Sequence, residues 1–257
     1  MVSRRAVLAM GASVVLAGCS TASPAAAPSP AATSPVGADP SASDVIPSPT
    51  SAPGGPATEV AQGPRSVNAV ALTFHGAGDP QLAEQILATA EKAGAVVTVL
   101  AVGTWLQAYP QIGRRVLSGG HELGNHTLQH LPMRLMSESA AYDEIVGGQQ
   151  QVNVFATGPS WFRPSGTPHA TPNILAAAAR AGYATSLSFD VDPRDYADPD
   201  PALVVSRVLA GVQPGSIVSL HLGHPGTVVA LPRILQGLSG RGLAAVSVSS
   251  LLPGVRP

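Results

Sequence analysis

The chain has 257 residues, 45% hydrophobic, 11% charged and 4% aromatic, with 14 basic and 15 acidic side chains and a formal charge of −1. That balance excludes the basic footprint that nucleic acid requires and a polybasic segment for an anionic membrane surface. A single cysteine, Cys19, excludes an internal disulfide and a cysteine-based zinc cluster.

The first segment, residues 1–19, reads as an export signal. Arg4 and Arg5 precede an apolar run from Ala6 to Ala17, which is shorter than the ~20 residues a membrane-spanning helix needs. Leu16-Ala17-Gly18-Cys19 resembles a bacterial lipobox. The resemblance implies a lipidated Cys19 and an anchor at the outer face of the cytoplasmic membrane, where two acyl chains hold firmly. Arg4-Arg5 also resembles a twin-arginine signal. Residues 20–64 contain 37 Pro, Ala, Ser, Thr or Gly among 45. Such a stretch cannot bury enough apolar surface to offset its ordering entropy, so a disordered tether is expected there.

From residue 65 to 257 the composition is that of a globular domain and holds all seven histidines. Strands are expected at Val67–Phe74, Ala95–Val102, Thr185–Phe189, Ser216–Leu220 and Ala244–Val248, with a short apolar piece at Trp161–Arg163. Helices are expected at Pro80–Ala93, Tyr109–Ser118, Glu138–Phe155, Pro172–Ala181, Pro201–Ala210 and Val228–Leu238. Alternating strands and helices imply parallel βαβ units in an α/β domain, either an open sheet or a barrel. The balanced surface charge suits a monomer.

Ionisable residues collect after the expected strands: His75 and Asp79, then His126 and His130, Arg163, Asp190 to Asp195, and His221. Such convergence marks the catalytic end of an α/β barrel. His126 and His130 are spaced i, i+4, which on a helical turn places both imidazoles on one face, able to share a divalent ion. His121, His169 and His224 read as solvated or structural. No Gly-x-Ser-x-Gly elbow supports a serine hydrolase.

The segment Gly120–His130, GHELGNHTLQH, resembles the second motif of the polysaccharide deacetylase family, the NodB-homology domain of carbohydrate esterase family 4. Thr73–Pro80, Phe162–Gly166, Asp192–Tyr196 and Gly215–His221 resemble its first, third, fourth and fifth motifs, in order. The resemblance implies a distorted (β/α) barrel of about seven strands. It also implies a divalent metal, zinc foremost, that activates water against an N-acetyl carbonyl. By resemblance His126 and His130 are metal ligands, Arg163 orients the base, and Asp195 tunes His221, the general acid. The substrate implied is a cell-wall glycan such as peptidoglycan or a similar amino-sugar polymer.

The first motif departs from the family pattern. His75 stands where the family has its catalytic Asp, and Gly76 where it has its metal-binding Asp. In one reading His75 is the base and Asp79 completes the metal shell. In another, His75 is itself the third ligand. A third alternative is an inactive deacetylase fold that binds glycan or a protein partner, with Trp105, Trp161 and Tyr196 as candidate aromatic platforms.

Overall fold

The computed structural model describes residues 55–257. The export signal, Cys19 and the expected tether up to residue 54 lie outside the described residues. The folded region starts earlier than residue 65. Ala57 is buried, and Thr58–Val60 forms β1, paired in parallel with β5 (Thr185–Leu187). A stretch that composition assigns to the tether therefore completes the sheet, because a strand needs only backbone partners to form there.

The central strand is β2 (Ala69–Gly76). It pairs in parallel with β3 (Thr98–Ala101) and β6 (Ile217–His221), and at its start with β7 (Ala244–Val246). β3 pairs in turn with β4 (Glu122–Asn125). Single bridges continue the ring: Asn125 to Phe162, Phe162 to Ser186 in β5, and Val191 to Val218 in β6. The result is the expected distorted α/β barrel, closed in part by isolated bridges instead of full ladders.

Period-two alternation on β2 and β6 divides core from site. Val70, Leu72, Phe74, Val218 and Leu220 face outward into the main helix-packed core. Burying each such large side chain contributes roughly 1.5–3 kcal/mol. The opposite face is layered. Ala71 and Ile217 join Leu100, Trp161, Leu187 and the short α8 (Val248–Leu251) in an apolar plug. Above them Thr73 is in register with Ser219, and above those His75 with His221.

The helices begin and end where the chain chemistry directs. α1 (Pro80–Lys92) starts on Asp79, whose Oδ1 accepts from the Gln81 N–H at 2.8 Å, with Pro80 at the first helical position. It buries Ala83, Ile86, Leu87 and Ala90, one helical face. The remaining helices are α2 (Gly103–Ala108), α3 (Pro110–Ser118), α4 (Glu138–Val152), α5 (Pro172–Arg180), α6 (Pro201–Gly211) and α7 (Pro225–Ser239). The composition did not reveal α2 or β4. Six residues are too few to display helical periodicity, and Glu122-Leu123-Gly124-Asn125 has no β-branched residue. No helix among the described residues is long and apolar enough to cross a membrane.

Candidate active site

A cleft of ≈ 610 Å³ opens at the C-terminal ends of the strands, lined by His75, His130, Phe189, Tyr196, His221 and His224 among others. A larger groove of ≈ 900 Å³ lies before β3 and β7, where the only charged side chain in its lining is Lys92. Size does not locate the chemistry here, because the titratable groups converge on the smaller cleft.

His126 and His130 do not lie on a helical turn. β4 ends at Asn125, and Thr127 and His130 both take left-handed backbone angles, φ 71° and 60°. The turn is held by side chains. Asn125 Oδ1 accepts from the Thr127 N–H, the His130 N–H donates to Thr127 Oγ1, and Glu144 accepts from the Gln129 N–H. Gly148 of α4 lets this turn approach closely, since a Cβ there would lie 2.7 Å from the Thr127 carbonyl carbon. The two imidazoles still converge, with ring centroids 5.0 Å apart.

His126 is fully buried, and its Nδ1 lies 2.9 Å from the Arg163 carbonyl oxygen. A carbonyl only accepts, so Nδ1 carries the proton and Nε2 carries the lone pair. That Nε2 is buried without a partner. An imidazole held through Nδ1–H by a carbonyl, with a bare Nε2, has the preparation of a metal ligand. Burial first, then His130, holds its pKa well below the usual histidine value, against the opposing hydrogen bond to the Arg163 carbonyl. The pKa of His130 is lowered as well, first by burial and then by His221. The pair fits a divalent ion.

Asp79 does not join them. Its carboxylate caps α1, is exposed and is absent from the cleft lining. Among the described residues no group of three His, Cys, Asp or Glu side chains is gathered as a ready metal shell. Position 76, where the resemblance puts the family's metal-binding Asp, has no room for a side chain. A Cβ on Gly76 would meet Ala101 Cα at 2.9 Å and Val99 Cγ1 at 3.0 Å.

His75 lies between the other groups, its ring centroid 4.2 Å from His126 and 4.4 Å from His221. Its Nε2 is 3.2 Å from Arg163 Nη1 and 3.4 Å from Ser219 Oγ. A guanidinium only donates, so the neutral ring keeps its lone pair on Nε2 and its proton on Nδ1. Burial first, then His126, His221 and Arg163, push its pKa well down. It is therefore a neutral imidazole at pH 7. Arg163 is itself buried and also holds Thr73 Oγ1 and the carbonyls of Leu187 and Ser188.

Across the cleft His221 Nδ1 is 2.7 Å from Asp195 Oδ1. The buried Asp195 carboxylate also accepts from the His221 N–H at 2.9 Å and from Thr227 Oγ1 at 2.6 Å. This fixes the His221 ring and leaves Nε2 free to exchange a proton. Two supports were not visible as site residues in the sequence: Thr73, which lies two places before His75 on the inward face of β2, and Thr227 on α7. Period-two counting from His75 would have found the first, as it places Ser219 two residues before His221 on β6. Asp190 is structural, bound to Arg65, Ser216 and the Ile217 N–H. His121 is buried and accepts from the Val97 N–H, and His169 pairs with Glu59. Trp105 and Trp161 are buried core, so of the three proposed platforms Tyr196 alone is exposed.

The histidine pair and the His221–Asp195 dyad stand at the mouth of the barrel, where the resemblance to the polysaccharide deacetylases placed the site. The chain belongs to the polysaccharide deacetylase family, whose model matches residues 62–186. It is 34% identical over 193 residues to a peptidoglycan-N-acetylglucosamine deacetylase of Bacillus cereus, covering 74% of this chain and 90% of that one. It is 32% identical over 158 residues to a chitooligosaccharide deacetylase of Bradyrhizobium, covering 61% and 71%. Among solved structures, peptidoglycan deacetylase PdaC from Bacillus subtilis superposes with a TM-score of 0.64 at 26% identity, covering 73% and 91%. A family 4 pseudoenzyme from Bacillus anthracis shares the fold with a TM-score of 0.70 at 22% identity, covering 76% and 68%.

Proposed function

We propose that the protein removes N-acetyl groups from amino sugars of a cell-wall polysaccharide, releasing acetate. The observation that carries this reading is the gathering of the bare His126 Nε2 and the Asp195-held His221 on either side of His75. Simple glycan binding requires neither a buried carboxylate holding an imidazole nor an unsatisfied imidazole nitrogen. His126 and His130 would hold a divalent ion, zinc foremost. When bound, such an ion polarises the amide carbonyl and favours attack by water. His221, as an imidazolium that Asp195 stabilises, then donates its proton to the departing amine and returns to the neutral ring. Arg163 fixes His75 at the base position as a neutral ring, unprotonated and competent to take a proton once Nε2 is released. The protein acts as a monomer at the outer face of the cytoplasmic membrane, held by lipidated Cys19. Cys19→Ser is expected to release it into the medium.

Binding of wall glycan without hydrolysis is favoured by one specific observation, the closure of position 76 against Ala101. Acetate measured from N-acetylated peptidoglycan and chitooligosaccharide, with divalent metal supplied, separates the two readings. Release supports the deacetylase, and its absence leaves the binding protein.

A further inference from the structure

A second His–Asp pair stands beside that of His221 and Asp195, with His224 in the cleft lining and Asp198 on an exposed turn outside it. His224 Nδ1 is 2.8 Å from Asp198 Oδ1. Both pairs come from the same two loops at the same spacing, Asp195 with Asp198 and His221 with His224. The contact occupies Nδ1 of His224 and leaves its Nε2 free for another hydrogen bond. His224 occupies the residue before α7 but makes no side-chain cap there. Its ring lies 5.7 Å from that of His221 and lines the cleft. Asp198 is held at φ 49°, ψ 47°, a conformation that disfavours residues with a Cβ, by its N–H donating to the Asp195 carbonyl at 3.0 Å. Tyr196, on the same turn, is 47% exposed, and its ring stands edge-on to His221 at 5.2 Å. An aromatic face and a fixed polar group therefore flank the acid histidine.

A pyranose presents an apolar C–H face and a rim of hydroxyl donors, which such a pair of groups complements. We propose that Tyr196 and the His224–Asp198 pair form a second sugar subsite. The ligand is then an oligosaccharide whose neighbouring ring rests on Tyr196 and hydrogen-bonds through a hydroxyl to His224 Nε2. This rests on the reading that the cleft takes amino-sugar glycan, and not on whether the glycan is hydrolysed.

Calorimetric titration of the full chain with N-acetylglucosamine and with its β-1,4 tetramer tests the subsite. The tetramer is expected to bind at least ~10-fold more tightly than the monosaccharide, with His224→Ala and Tyr196→Ala each removing roughly 5–10-fold for the tetramer alone. Asp198→Asn, a milder change that keeps the side-chain volume, is expected to weaken the tetramer by a smaller factor. Equal binding of the two sugars, no binding of the tetramer, or variants that bind it like the unmodified chain overturn the subsite. Tetramer binding without acetate release would overturn hydrolysis and leave the subsite standing. Acetate release with unaltered variants would do the reverse.

Discussion

Arg163 donates to His75 Nε2 across 3.2 Å, so the buried guanidinium of this core is met by a neutral ring and not by a carboxylate. Its other acceptors, Thr73 Oγ1 and the carbonyls of Leu187 and Ser188, are neutral too. Burial pushes its pKa down to about 9, which still leaves it charged at pH 7. It ties β2, β5 and the 161–163 segment to one point. Arg163→Ala is expected to cost roughly 3 kcal/mol or more, since it leaves a cavity and several unpaired buried acceptors. Urea unfolding measures this, and a loss under about 1 kcal/mol would show that the network carries little stability.

The neutral state of the buried histidines makes folding sensitive to acid. The pKa values of His75 and His126 lie well below the usual value, chiefly through burial. The unfolded chain therefore takes up protons from about pH 6.5 downward, while the folded chain does not. Stability is full above that pH and falls as pH drops, at up to ~1.4 kcal/mol per unit for each such histidine, until the folded rings protonate. Urea midpoints of metal-free protein between pH 7.5 and 5 should decline, and His126→Gln should flatten the decline. A flat profile in the unmodified chain contradicts the assignment.

Metal content separates the histidine pair from Asp79. His126→Ala and His130→Ala are each expected to remove most bound zinc at equimolar metal. Asp79→Ala should leave metal content unchanged and lower stability by ~1 kcal/mol through loss of the α1 cap. Loss of zinc in Asp79→Ala would require the loop to refold inward, against the structure. Elemental analysis after desalting gives the answer.

Position 76 should reject a side chain. The 2.9 Å approach to Ala101 Cα is backbone contact that no rotamer relieves. Gly76→Ala is expected to destabilise by about 1–3 kcal/mol in urea unfolding. An unchanged midpoint would mean that β3 yields freely, and that a restored aspartate could be accommodated there.

Asp195→Asn should keep the shape of the dyad but cannot stabilise a charged His221. Acetate release is expected to fall about 10²-fold or more in kcat, with a smaller effect on KM. Equal loss in KM and none in kcat would place His221 in binding instead of proton transfer.

Local chemistry was enough for much of the fold and site. Proline and aspartate at helix starts, β-branched runs and the order of polar segments are properties of neighbouring residues, so α1, α3 to α7, β2, β3 and β5 to β7 were legible, with ends displaced by a few positions. The clustering of His126, His130, Arg163, Asp195 and His221 was legible for the same reason, because strand ends in a barrel meet at one mouth. The tertiary structure alone decided the rest. β1 and β4 exist because a neighbouring strand offers backbone partners, which no property of Thr58–Val60 or Glu122–Asn125 announces. Asp79 stays out of the cleft because its carboxylate is engaged by the Gln81 N–H at the start of α1. His224 turns from a surface histidine into a cleft residue because Asp198, 26 residues away in sequence, is 2.8 Å away in space. Hydrogen bonds and close approaches of this range depend on how the chain returns on itself, and a reading of sequence neighbours cannot supply that distance.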